Sequence, residues 1–146
     1  MFKGFIFDLE GTVFLSDRLI PGADRVIKLI QEKGRKVIFL SNRPLPTCGV
    51  IISALEAVTL KKVEVIVGEP SLTMAEAVLE ALGLRADDCI LIGDRLETDI
   101  KMAKDSGMAA GIVLTGVTDE KTLKESSLHP DFIFQSIADV DNLLIG

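Results

Sequence analysis

The chain has 146 residues, 48% of them apolar, enough for one domain that buries roughly 70% of the surface its unfolded form exposes, and too apolar for a disordered chain. A formal charge of −6 with no basic run excludes general nucleic-acid affinity, but leaves room for a small phosphorylated molecule held by local cations or a metal. No run approaches the roughly 18 apolar residues of a membrane span. Met1-Phe2-Lys3-Gly4 enters a strand without a signal-peptide layout. Cys48 and Cys89 lack metal-ligand spacing, so a reduced, cytoplasmic protein is expected.

Apolar runs of strand length alternate with helical patterns. Residues 4–7 read as a strand. Residues 22–33 read as a helix with Val26, Ile27 and Ile30 on one face and a stop at Gly34. A second strand spans 36–40, a helix 51–58 and a third strand 64–67. The helix at 72–82 follows Ser71 as N-cap and aligns Ala75, Val78, Leu79 and Leu82. A strand at 89–92, with Cys89 in the core, precedes a helix at 98–106 that ends at Gly107. A strand at 111–114, another at 131–134 and a helix at 137–144 after Ser136 complete the chain. Cys48 is expected as a loop thiol and His129, before Pro130, as a surface turn residue. Asp87, Asp88, Asp119 and Glu120 read as solvated loop or helix-start acids.

The runs Val37-Ile38-Phe39-Leu40 and Ile90-Leu91-Ile92 are continuously apolar, so both sheet faces must be covered, as in a parallel sheet between helices. The predicted fold is therefore α/β: a single, doubly wound, mainly parallel Rossmann-like sheet over residues 1–146. Sites on such sheets lie at the carboxyl ends of strands, where four polar segments fall. They are Asp8-Leu9-Glu10-Gly11-Thr12, Ser41-Asn42-Arg43, Gly68-Glu69-Pro70-Ser71 and Gly93-Asp94-Arg95 with Thr98-Asp99 following. Two acids two residues apart suit phosphoryl transfer, one carboxylate attacking phosphorus and the next moving a proton. Each segment has a plainer reading. Asp8 can cap a turn, Ser41-Asn42 can be an ordinary turn, and Asp99 can complement a helix dipole.

Taken together and in order, these motifs resemble the haloacid dehalogenase (HAD) superfamily of Mg²⁺-dependent phosphatases, in its p-nitrophenylphosphatase and sugar- or nucleotide-phosphatase-like branch. Phe7-Asp8-Leu9-Glu10-Gly11-Thr12-Val13, Phe39-Leu40-Ser41-Asn42, Ile92-Gly93-Asp94-Arg95-Leu96-Glu97-Thr98-Asp99-Ile100 and Val113-Leu114-Thr115-Gly116-Val117-Thr118 carry the likeness. The resemblance implies a phosphomonoester hydrolase acting through an aspartyl-phosphate on a small phosphorylated substrate. Asp8 is then the nucleophile and Glu10 the general acid/base. Gly11 and Thr12 offer amides to phosphate oxygens, and Ser41, Asn42 and Arg43 bind or orient the phosphate. Asp8, the backbone carbonyl of Glu10, Asp94 and Asp99 form a Mg²⁺ site.

Three departures stand out. Glu10 replaces the commoner aspartate and must fold back to reach the same point. Glu69 stands where the family pattern has lysine. Facing the cleft, such a reversal costs transition-state stabilisation, a unit pair at about 4 Å being worth roughly 4 kcal/mol at an effective dielectric near 20; turned to solvent it costs less. The connection over residues 43–67 is also too short for the cap domain that such phosphatases insert there. A capless or vestigially capped core, an open cleft and a homodimer through the uncovered edge are expected. A non-catalytic module of the same fold, and a phosphoacceptor receiver domain, are the alternative readings.

Overall fold

The structure, a computed structural model, describes residues 1–43 and 45–145, and of residues 45–48 the backbone alone. In chain order its strands and α-helices are β1 (Gly4–Asp8), β2 (Phe14–Leu15), β3 (Arg18–Leu19), α1 (Ala23–Glu32), β4 (Lys36–Ser41), α2 (Leu45–Thr59), β5 (Val65–Val67), α3 (Leu72–Leu82), β6 (Cys89–Gly93), α4 (Lys101–Ser106), β7 (Ala109–Val113), α5 (Glu120–Glu125) and β8 (Phe132–Phe134). A π-turn over Leu96–Ile100 leads into α4, and a 3-10 helix spans Ile137–Leu143.

Six strands form one parallel sheet in the order β5-β4-β1-β6-β7-β8, and β2 and β3 form a small antiparallel hairpin. Counting only the six, the order is 3-2-1-4-5-6, that of dinucleotide-binding sheets, and not the 2-1-3-4-5 of flavodoxin-like receivers. The receiver alternative is thereby set aside. The winding reverses between β1 and β6, and at such a switch point loops diverge and leave a crevice beyond the carboxyl ends of the strands.

Both faces of the sheet are buried, as the continuous apolar runs require. Alternation along β1 sends Phe5 and Phe7 into one core layer, beneath α1, α2 and the C-terminal 3-10 helix. Ile6 enters the other layer, beneath α3 and α4. Ser71 caps α3 by accepting from the Met74 amide at 3.1 Å, and Gly83, at φ 62°, closes it. Among the described residues no helix is long and apolar enough to cross a membrane.

The differences from expectation are local. The helix expected at 98–106 begins earlier, because the Arg95 carbonyl accepts from both the Asp99 and the Ile100 amides, at 3.1 and 3.2 Å. The 137–144 segment is 3-10 rather than α, its start fixed by a Ser136–Asp139 capping box. Strand 111–114 starts two residues earlier, at Ala109. The helix read at 51–58 is the second half of α2, whose apolar residues on every side hid its period. Cys89 is buried in β6 as expected, whereas Cys48 falls within α2 instead of a loop, its side chain outside the described residues. The β2–β3 hairpin has two-residue strands, too short for a sequence pattern.

Residues 43–67 therefore hold one helix and a short edge strand; Pro44 lies outside the described residues. The helix is held by a narrow stripe: Leu55 is fully buried and Ile51 nearly so, while Val50 and, just past the helix, Leu60 are 82% and 88% exposed. Leu55→Ala should lower the unfolding free energy by about 2–5 kcal/mol in urea titrations. A loss below about 1 kcal/mol would show that α2 contributes little to the core.

Candidate active site

Asp8 ends β1, and Asp94 follows β6. The parallel register pairs Phe7 with Ile92, so both chains reach the carboxyl edge side by side. The π-turn then brings Asp99 back to them. One carboxylate oxygen from each of Asp8, Asp94 and Asp99 lies within 4.8 Å of the other two. Asp94 and Asp99 are 2% and 6% exposed. Burial, and then the charges of Asp99 and Asp94, push the Asp8 carboxyl up to about 9, against the opposing pull of the Leu9 amide. Burial likewise raises Asp99 to about 6, with Asp94 adding to the shift and the Arg95 amide, the Asp94 backbone and the Arg95 charge opposing it.

The surrounding backbone is shaped for these carboxylates. A Cβ on Gly116, or on Gly11 with its φ of +81°, would overlap the Asp94 carboxylate, and one on Gly93 would overlap that of Asp99. The Val117 amide donates to Asp94 Oδ2 at 2.9 Å and the Thr118 amide to the Asp94 carbonyl at 3.1 Å. Thr115 Oγ donates to the Gly11 carbonyl at 2.7 Å, tying the loop after β7 to the loop after β1. The Arg95 amide donates to Asp99 Oδ2 at 3.1 Å.

A cleft of about 560 Å³ opens above the cluster. It brings together Asp8, Glu10, Gly11, Ser41, Asn42, Arg43, Asp94 and Asp99. Thr12 is not on it. That residue is fully buried, its amide donates to the Leu9 carbonyl at 3.2 Å, and the Gly11 amide donates to the Phe14 carbonyl at 2.7 Å. The two amides expected to face phosphate oxygens are therefore engaged within the turn, and Gly11 serves the site by leaving room for Asp94. Ser41 Oγ accepts from the Arg43 amide at 3.1 Å and so shapes the loop after β4. Glu10 turns its carboxylate to the β2–β3 hairpin. Its Oε1 accepts from the Ser16 amide at 3.2 Å, and its Oε2 is buried with no hydrogen-bond donor among the described residues.

Glu69 is exposed. Gly68 and Pro70 line the cleft, while Glu69 lines the adjoining groove with Glu97 and Lys101. The charge reversal thus falls outside the cleft, and the main reason for preferring a non-catalytic module loses its force. Sequence reasoning assigned no site function to Arg95, Thr115, Gly116 or Val117. The available signal was a glycine just past a strand end, in Thr115-Gly116-Val117.

The donor set fits a hard divalent cation. Three carboxylates converge, and among the described residues Asp94 Oδ1 is buried with no fixed donor, a position that a cation, or in its absence the Asp8 proton, can fill. An all-oxygen set suits Mg²⁺ better than softer metals.

Fold and cluster together define an α/β domain with a carboxylate site at its switch point. A family model described as HAD-hydrolase-like matches residues 66–140, just over half of the chain, and the chain belongs to that family. It is 43% identical over 93 residues to the sugar-phosphatase AraL of Bacillus subtilis, covering 64% of this chain and 34% of that protein. It is 32% identical over 137 residues to human glycerol-3-phosphate phosphatase, covering 88% and 40%. The crystal structure of a 4-nitrophenylphosphatase from Thermotoga maritima superposes with a TM-score of 0.78 at 18% identity, over 97% of each chain. The chain spans about a third of the length of the first of these relatives.

The raised carboxyls make stability depend on pH. From the ordinary value of 3.8 up to about 6 for Asp99, and about 9 for Asp8, the folded metal-free protein holds protons that the unfolded chain has released. Its stability therefore falls as pH rises through that window. In EDTA the melting temperature should drop by about 4 °C or more between pH 5 and 8, equivalent to about 1 kcal/mol in a domain of this size. Asp8→Asn should flatten the drop. A melting temperature that stays level or rises in the wild type would contradict the crowded-carboxylate picture.

Proposed function

We propose that this domain is the core of a Mg²⁺-dependent phosphomonoester hydrolase that works through an aspartyl-phosphate on Asp8. The observation that carries the reading is the convergence of Asp8, Asp94 and Asp99 on the floor of an open cleft. The phosphatase names of the relatives support it.

In this reading Asp8, the Glu10 carbonyl, Asp94 and Asp99 hold Mg²⁺. When bound, the ion neutralises phosphoryl charge and keeps Asp8 ionised. One carboxylate oxygen of Asp8 attacks phosphorus and forms a new O–P bond, while the ester P–O bond breaks. The departing alkoxide takes a proton from Glu10. In the second half, Glu10 takes a proton from water, whose oxygen attacks phosphorus, and the Asp8–phosphorus bond breaks to release phosphate. Without the ion, the Glu10 carboxylate is held at the hairpin by the Ser16 amide, with Oε2 buried, so proton transfer requires its side chain to turn toward the bound ester. Ser41, Asn42 and Arg43 orient the ester from the opposite wall. With residues 43–67 contributing one helix instead of a cap, the cleft stays open and selects leaving groups weakly. A small sugar or polyol phosphate ester suits such a polar cleft, and the sugar-phosphatase and glycerol-3-phosphate phosphatase names of relatives agree with that class.

The test is hydrolysis of p-nitrophenyl phosphate. Activity should require Mg²⁺ and vanish with EDTA. Asp8→Asn should lower kcat by about 10³-fold or more, and Glu10→Gln by about 10²–10⁴-fold. Equal rates in wild type and Asp8→Asn would refute the proposal.

A further inference from the structure

We infer that Arg95 supplies the positive charge facing the phosphoryl group, in place of the lysine that the family pattern carries at position 69. The inference rests on the phosphoryl-transfer reading of the cleft. Asp8, Asp94, Asp99 and Glu10 make the floor strongly anionic, and a phosphate ester adds further negative charge that one divalent ion does not balance. A cation on the wall is needed, and residue 69 does not provide it: it is a glutamate, and it lies in the neighbouring groove. Lys61 and Lys62 line a separate surface groove.

Among the described residues two cations line the cleft, Arg43 and Arg95. Arg95 is the one built into the acid cluster. It follows Asp94 directly. Its amide holds Asp99 Oδ2 at 3.1 Å, and its carbonyl accepts from the Asp99 and Ile100 amides. Its backbone is thus fixed to the same groups that define the reaction centre. The side chain is exposed, and its guanidinium forms no ion pair among the described residues. A guanidinium so placed presents paired N–H donors suited to two phosphate oxygens, which a point-charge ammonium cannot match. Arg95 also borders a neighbouring groove lined by Thr118, Thr122, Glu97 and Glu125.

The test is calorimetric binding of inorganic phosphate to the Mg²⁺-loaded protein, alongside hydrolysis of p-nitrophenyl phosphate. Arg95→Gln should weaken phosphate binding and raise KM by about 10- to 100-fold, the range for one charge-assisted contact. Arg95→Lys should recover part of the loss. Glu69→Lys, outside the cleft, should change affinity by less than about 5-fold. Wild-type phosphate affinity in Arg95→Gln would overturn the inference and leave the hydrolase reading standing, as would a large gain from Glu69→Lys. Arginine-dependent binding without turnover would uphold the inference and sink the hydrolase reading. No phosphate binding by the wild type would overturn both.

Discussion

Three carboxylates held within 4.8 Å of one another, two of them almost wholly buried, impose the main constraint on this domain. Nothing in the apolar layers below offsets their repulsion, so in the absence of a cation the site keeps protons that free aspartates would have shed. Much of the local backbone exists to hold this unfavourable arrangement. Gly11, Gly93 and Gly116 leave the space the carboxylates fill. The amides of Val117 and Arg95 each give one of them a fixed donor. The hydrogen bond from Thr115 to Gly11 locks two of the loops together. On the proposed function, such crowding is preorganisation for a divalent ion and an incoming phosphate, with the repulsion relieved on binding.

The sheet makes this possible at a modest distance from the core. β1 and β6 carry fully buried Phe5, Ile6, Phe7, Ile90, Leu91 and Ile92, so the ends that bear Asp8 and Asp94 are anchored by both apolar layers. The parallel register delivers the two acids together, and the topological switch keeps neighbouring loops from covering them. The functional groups thus sit where rigid strands end and adaptable loops begin. Glu10 shows the same economy. Its longer side chain reaches the small hairpin, where the Ser16 amide holds one carboxylate oxygen and the other is buried.

The α/β class, the six sheet strands and the cluster of Asp8, Asp94 and Asp99 were legible because they rest on strong local signals. These were continuous apolar runs, acids just past strand ends, and family motifs that each follow a strand. Four things were not legible. The backbone partners of Asp94 come from a loop more than twenty residues away, and sequence spacing cannot report such a contact. Whether residue 69 faces the cleft depends on the direction of one side chain at a loop, and a charge count alone could not decide it. The amides of Gly11 and Thr12 were expected to face phosphate, but the turn needs them internally. The same chemistry that makes Gly-Thr a good loop makes those donors compete for their own carbonyls. The wide π-turn that starts at Leu96 was invisible for a related reason: it arises from one carbonyl accepting two amides, which leaves no compositional trace.

The central proposal is that the three aspartates form one cation site in which Asp8 keeps its proton until the cation arrives. Isothermal titration calorimetry of Mg²⁺ into the metal-free protein at pH 7, repeated in buffers of different ionisation enthalpy, tests it directly. The account predicts one saturable site per chain, lost in Asp94→Asn, with release of about one proton per ion bound, from Asp8. Saturable binding with no proton release, or binding that survives Asp94→Asn unchanged, would contradict it.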